Sequence, residues 1–284
     1  MARPLRLEFN NALYLVVAKG QDEQTIFKDD DDREEFLRVL QHSCERYGWI
    51  LHGYALLDDS YFLVVRTPKP NLSKGMRQLN GVYTQSFNRR HNVDGHLFQG
   101  RFKSIVVDEK NFLAPLLADL SVEPVRAGIV RTANQWRWTS HRTLLGKRAP
   151  APWFDLNGAL AVFADKPAAA TEAYKEAVAQ ARGRDPVWLL AKHQIFLGDA
   201  AFIKRMQKRL QSEADRVAKE GKARPRPASV KSLASYEKRF KDRDRAIYEA
   251  FASGHYTQSQ IADHFKLHYT TISRIVSRQE AKND

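Results

Sequence analysis

Apolar positions fall in short alternating or continuous runs over the first hundred residues and at helical spacing over most of the rest. The run from Ala12 to Ala18 is aromatic and β-branched and is closed by Lys19-Gly20, which predicts a buried strand. Between Asp32 and Tyr47, Phe36, Leu37, Val39, Leu40 and Cys44 recur at helical spacing behind an acidic first turn, with Gly48 at the exit. Ile50 to Leu57 and Tyr61 to Thr67 then predict two strands joined at Asp58-Asp59-Ser60. A helix from Leu72 to Asn88, capped by Asn71, precedes a fourth strand from Phe102 to Val107. A short helix then leads to Pro124, starting or kinking at Pro115. Strand, helix, strand, strand, helix, strand is the ferredoxin-like split β-α-β order, so the fold class is α+β, an antiparallel sheet with helices on one face.

Gly146 to Pro152 combines prolines with cations and marks a boundary after a first domain of residues 1–145. Beyond it, Leu156 to Phe163, Ala168 to Ala181, Val187 to Phe196 and Ala200 to Val217 predict an all-α middle region over 153–218. Residues 219–231, with Lys-Ala-Arg-Pro-Arg-Pro-Ala and no apolar period, predict an extended basic linker. In the last domain, 232–284, a helix from Asp242 to Ala252 ends at Gly254, Thr257 caps Gln258 to Phe265, and a turn through Lys266-Leu267-His268 leads to Thr270 to Ser277. Small Ala262 and turn residue Leu267 fit a helix-turn-helix whose second helix would enter the major groove. Lys266 holds the turn position where glycine is usual, which implies a positive φ.

Charge narrows the function classes. The 284 residues carry 46 Lys and Arg against 33 Asp and Glu, a net +13, and such a field attracts polyanions, nucleic acid first among them. The single cysteine, Cys44, excludes an internal disulfide and a cysteine-based zinc site, and its helical period predicts a buried structural thiol. Neither a membrane-spanning run nor an apolar signal segment behind Met1 is visible, so a cytoplasmic, nucleoid-associated protein is expected.

The stretches Met1–Arg6, Met76–Gln85, Phe87–His91, Gly95–Lys103 and Pro124–Gly128 resemble the IS200-type single-tyrosine HUH transposases, in particular the branch associated with repetitive extragenic palindromes. Gln194–Asp199 and the C-terminal helices resemble longer members of that branch. The resemblance implies cutting of single-stranded DNA beside a hairpin, by two histidines that flank one residue on a central strand and hold a divalent metal, and by a tyrosine on a nearby helix. Here the histidine positions fall on Ser60 and Phe62, the tyrosine on Asp119, and a metal-assisting asparagine on Glu123. These four positions are degenerate, so no catalytic residue, metal or other cofactor is expected. An alternative is an active transposase or nuclease with a hard-ion site rebuilt from Asp58, Asp59, Asp119 and Glu123, the simpler reading being that the first two form a turn and the last two are solvated. Tyr61 and Tyr83 are the remaining phenols that could replace the nucleophile.

The nucleic-acid contacts expected on the first domain are Arg77, Tyr83, Arg89, Arg90, Arg101, Lys103 and Arg126, guanidinium and ammonium groups for phosphates with a ring for unstacked bases, while Phe87 and Phe102 are expected to be interior. On the helix-turn-helix they are His268, Thr270, Thr271, Ser273, Arg274 and Arg278. The expected partners are duplex DNA at the C-terminal helices and a DNA hairpin or single strand at the first domain, with structured RNA as the competing ligand. A domesticated transposase acting as a regulator fits that combination, and the resemblance also allows a homodimer.

Overall fold

The computed structural model describes residues 6–223, 232–240, 242–253 and 256–280. The chain divides into two compact units, residues 1–214 and 215–284. In the first, β1 (Ala12–Lys19), α1 (Asp30–Tyr47), β2 (Ile50–Leu56), β3 (Ser60–Thr67), α2 (Leu72–His91), β4 (Lys103–Val107) and α3 (Glu109–Arg126) follow the expected order. They continue into α4 (His141–Leu144), α5 (Leu156–Ala161), α6 (Pro167–Ala181), β5 (Phe196–Leu197) and the part of α7 (Ala200–Ala223) up to residue 214. Among the described residues five strands form one sheet, in the order β2-β3-β1-β4-β5, antiparallel except for the β4–β5 pair.

The two faces of that sheet are separately covered. α1 and α2 share one face: Tyr61 of β3 lies 4.6 Å from Phe36 of α1 and bonds Asn80 of α2, and Tyr83 packs edge-on to Phe36 at 5.2 Å. α3 crosses the opposite face, so helices lie on both. Gly53 of β2 permits the approach, since a Cβ there would come within 2.5 Å of Leu117 Cδ2. α3 runs unbroken past Pro115, because Leu113, Leu116, Leu117 and Leu120 are all fully buried and their packing offsets the lost hydrogen bond.

α1 starts as its sequence asks, with the Asp29 carboxylate accepting from the Asp32 amide at 3.0 Å and Gly48 closing it at φ +66°. Asn71 does not cap α2 through its side chain. Its carboxamide oxygen accepts from Trp49 Nε1 at 2.8 Å and its amide donates to the Tyr47 carbonyl at 2.9 Å, tying the helix to the end of α1. Cys44 is buried, and burial pushes its thiol up to about 12.

The stretch read as a separate all-α region joins the first unit. The Phe154 backbone bridges Leu51, α6 packs on α3, and β5 extends the sheet. Val187 to Phe196 is not the expected helix: a single tight turn, Val187–Leu190, is followed by an extended return to β5. Pairing with β4 outweighs the helical propensity of so short a run. The basic linker also begins later than expected, since α7 continues to Ala223, and residues 224–231 lie outside the described residues.

In the second unit, α8 (Leu233–Arg239), unanticipated in the sequence, precedes α9 (Arg243–Ala252), α10 (Gln258–Phe265) and α11 (Tyr269–Glu280). Ile247, Ala250, Ile261, Ala262, Ile272, Ile275 and Val276 form its core, with Leu233, Tyr236 and Leu267 packed around it. Thr257 caps α10 and exchanges hydrogen bonds with Gln260 in a capping box. Lys266 adopts the left-handed turn at φ +53°, as expected of its position, and the Leu267 amide donates to the Ala262 carbonyl at 3.0 Å. Gly254, expected at the end of α9, lies outside the described residues.

Candidate nucleic-acid interface

β3 carries the positions where the resemblance puts a metal. Side chains on a strand alternate, so Ser60 and Phe62 face α3 while Tyr61 faces α1 and α2. Ser60 is buried and its hydroxyl donates to Asp59 at 2.8 Å. The Phe62 ring packs on Trp188 at 5.4 Å. A hydroxyl already committed to a neighbour and a hydrocarbon ring make no donor set for a divalent ion, so these residues do not fit the metal.

On α3 the structure overturns the reading of Asp119 and Glu123 as solvated. Asp119 is completely buried. It accepts from Arg126 at 2.7 Å, from Arg184 at 3.2 Å and from the Val187 amide at 2.7 Å. Glu123 receives Arg126 at 2.8 Å, and burial raises its carboxyl above the usual range even against that partner. Asp58 is turned away from both, paired with Arg33 of α1. Asp119 and Glu123 share Arg126 while Asp58 pairs with Arg33 and Asp59 with Ser60, and among the described residues no three His, Cys, Asp or Glu side chains gather as a metal site. Tyr61 and Tyr83 are buried in the core, and desolvation drives both phenols well above their ordinary pKa, opposite to the activation a nucleophile needs.

Next to this position lies an open cleft of about 580 Å³, lined by Lys19, Phe62, Phe98, Gln99, Arg101, Phe102, Lys103, Glu123, Trp188 and Gln194 among others. Arg101, Phe102 and Lys103 also line an adjoining depression of about 360 Å³. Arg101 and Lys103 are exposed. Phe102 is half-buried beneath Arg6, whose guanidinium stands 3.7 Å from the ring centre. The result is a cationic ridge beside an aromatic floor, the combination that seats phosphates and unstacked bases. Lys19, Trp188 and Gln194 belong to this cleft and were missed in the sequence. Lys19 was findable, because β1 pairs it directly with Ser60, and cross-strand partners share a face. Trp188 was not, since it arrives on a turn far along the chain.

Three expected contacts are withdrawn. Tyr83 is buried among Phe27, Phe36, Phe87 and Phe98, and its hydroxyl donates to the Ile26 carbonyl. Arg90 is held by Asp29, Asp31 and Asp32 at the start of α1, which raises its pKa further. Arg126 is consumed by Asp119, Glu123 and the carbonyls of Ala181 and Arg184. Arg77 and Arg89 remain exposed on α2, outside the residues lining the cleft.

In the second unit Thr270, Arg274 and Arg278 are exposed at i, i+4, i+8 along α11, opposite the buried Ile272, Ile275 and Val276. Thr271 and Ser273 are half-buried, and exposed His268 meets the Thr270 hydroxyl at 2.9 Å beside the helix start.

Residues 8–114 match the family model described as transposase IS200 like. No curated protein matches the chain in sequence. Among solved structures, the chain is similar to a REP-associated tyrosine transposase bound to a REP hairpin, at 9% identity and a TM-score of 0.45, over 55% of this chain and 90% of that one. It is also similar to a transposase-like protein of Deinococcus radiodurans R1, at 15% identity and a TM-score of 0.30, over 45% of this chain and 92% of that one. No helix among the described residues is long and apolar enough to cross a membrane.

Proposed function

We propose that this chain, which carries an IS200-like transposase domain over residues 8–114, binds DNA without its family's strand-nicking chemistry and acts as a regulator. The observation that carries the reading is Phe62, a ring packed on Trp188 at the position to which the resemblance assigns a metal-holding imidazole. The engagement of Asp119 by two arginines and a backbone amide supports it, because a carboxylate so committed neither attacks phosphorus nor stands free for a metal.

In this reading a DNA hairpin or single strand lies along the ridge of Lys19, Arg101 and Lys103, with a base on the aromatic side of the cleft. α11 offers Thr270, Arg274 and Arg278 to duplex DNA as the second helix of a helix-turn-helix. Structured RNA competes for the same cleft, since 2′-hydroxyls add donors without changing the phosphate pattern.

The test is a labelled DNA hairpin incubated with the full chain in Mg²⁺ or Mn²⁺. Binding that weakens steeply with salt, with the oligonucleotide intact, is the expected result. A cleaved strand that stays covalently attached to the protein overturns the proposal.

A further inference from the structure

The segment that follows the sheet holds cations that the cleft does not use. After a tight turn at Ala133–Gln135, the chain meets β2 twice: the Leu56 amide donates to the Trp138 carbonyl at 2.9 Å, and the Leu51 amide to the Trp153 carbonyl at 3.4 Å. Between those two anchors, residues 139–152 carry α4 and a basic loop that shares a groove with α1. They close a groove of about 630 Å³, whose walls are Glu34, Arg38 and Gln41 of α1 on one side, Glu34 being paired with Arg137, and Arg142, Lys147, Arg148 and Trp153 on the other. The groove shares no lining residue with the cleft beside β4.

Pairing decides which of its charges are open. Arg38 is forked onto Glu35, with both bonds at 2.7 Å, and Arg137 reaches Asp30 at 3.3 Å and Glu34 at 3.4 Å. Arg142 instead bonds the Asn134 carbonyl at 2.8 Å, and Arg148 meets the Tyr54 hydroxyl and the Arg137 carbonyl at 3.4 Å. Neutral oxygens orient a guanidinium and leave its charge uncancelled. Lys147 is exposed, with no carboxylate paired to it among the described residues. Trp153 is half-buried, tilted at 6.1 Å against Tyr54, so it is fixed while part of its indole faces the groove.

We propose that this groove is a second nucleic-acid site, in which Arg142, Lys147 and Arg148 hold successive phosphates of a single strand and Trp153 seats a base. Three open cations flanking one immobilised indole reproduce the ladder of charge and ring by which sequence-tolerant strand binding is achieved. The inference rests on the proposal that the chain binds nucleic acid. It adds that a strand engages the β2 edge as well as the β4 cleft.

The experiment uses the full chain and an oligothymidylate of about 25 nucleotides, long enough for more than one site. Binding is read by fluorescence anisotropy over a salt series. The variant Lys147→Glu with Arg148→Glu changes only exposed side chains, and an unaltered thermal midpoint confirms its fold. The expected result is at least about tenfold weaker binding and a salt dependence shallower by about two phosphate contacts. Trp153→Phe keeps most of the affinity and Trp153→Ala loses it, and photo-crosslinking of a 4-thiothymidine strand marks residues 147–153 even when Lys19 and Lys103 are changed to Glu. Wild-type affinity in the double charge variant, with crosslinks confined to the β4 cleft, overturns the second site and leaves the proposed function intact. Failure of the wild-type chain to bind any oligonucleotide overturns both.

Discussion

The arginines around Asp119 and the cations of β4 sit in the same unit and bear the same formal charge, yet they do opposite work. Arg126 and Arg184 are spent on a carboxylate with no exposed surface, whereas Arg101 and Lys103 stand open on the ridge of the cleft. A positive residue in this protein is thus a ligand-binding element only where the fold has not already supplied its counter-ion. The +13 excess reports how much charge exists, and the ion pairs decide where it is available.

Removing one member of the buried cluster should separate the two roles most sharply. Asp119→Ala takes the acceptor from the buried Val187 amide and leaves Arg126 only Glu123 as a carboxylate partner, and should lower unfolding free energy by about 3 kcal/mol in a urea titration. Arg101→Glu with Lys103→Glu should leave that titration within about 0.5 kcal/mol of wild type while weakening hairpin binding. Equal loss of stability in both variants would erase the distinction.

Acid should attack the interior of the same unit. His141 is bonded through Nδ1 to the Tyr174 hydroxyl at 2.6 Å, which in turn meets Ser121 Oγ at 2.6 Å. Burial, aided by Lys147 and Arg142, pushes its imidazole down to about 4. The unfolded chain takes up that proton near pH 6.5 and the folded chain only near 4, so stability is lost as pH falls through that interval, by on the order of 3 kcal/mol. Burial lowers His52 as well, so it adds in the same direction. His141→Phe should flatten the stability profile between pH 7 and pH 4, and an unchanged slope refutes the assignment.

In the second unit the cations of α11 are tested by affinity. Arg274→Ala should cost about 1–3 kcal/mol in duplex binding if it reads a base, with loss of preference at one position. Unchanged affinity would make α11 a docking helix. Smallest of all, Lys266→Gly relieves a left-handed backbone and should raise the melting midpoint by the equivalent of about 0.5 kcal/mol, leaving binding alone.

The sheet was legible because its strands announce themselves locally: Ala12 to Ala18 and Tyr61 to Thr67 are β-branched, aromatic and bounded by turn residues. The Gly48 exit of α1, the Thr257 cap of α10 and the turn at Lys266 were legible for the same reason. What stayed hidden depends on distance along the chain. Asp119 reads as a helix-surface acid until Val187 and Arg184, more than sixty residues later, fold over it. Arg90 reads as a free cation until the acidic start of α1 comes alongside. Val187 to Phe196 has the apolar content of a helix, and only a vacant side of β4 turns its end into a strand. Periodicity encodes which residues are buried, and the partner of each buried charge is decided by topology.

That last strand has a practical corollary. The amides of Val106 and Asp108 donate to the Ile195 and Leu197 carbonyls at 2.8 and 2.7 Å, so the β4 side of the sheet is finished by a peptide lying more than eighty residues beyond it. A protein trimmed to the span that matches the transposase family would end inside α3 and leave that row of donors and acceptors bare, a template on which further chains can stack. The working boundary for expression therefore lies beyond β5, and pieces that stop short of Leu197 are expected in the pellet.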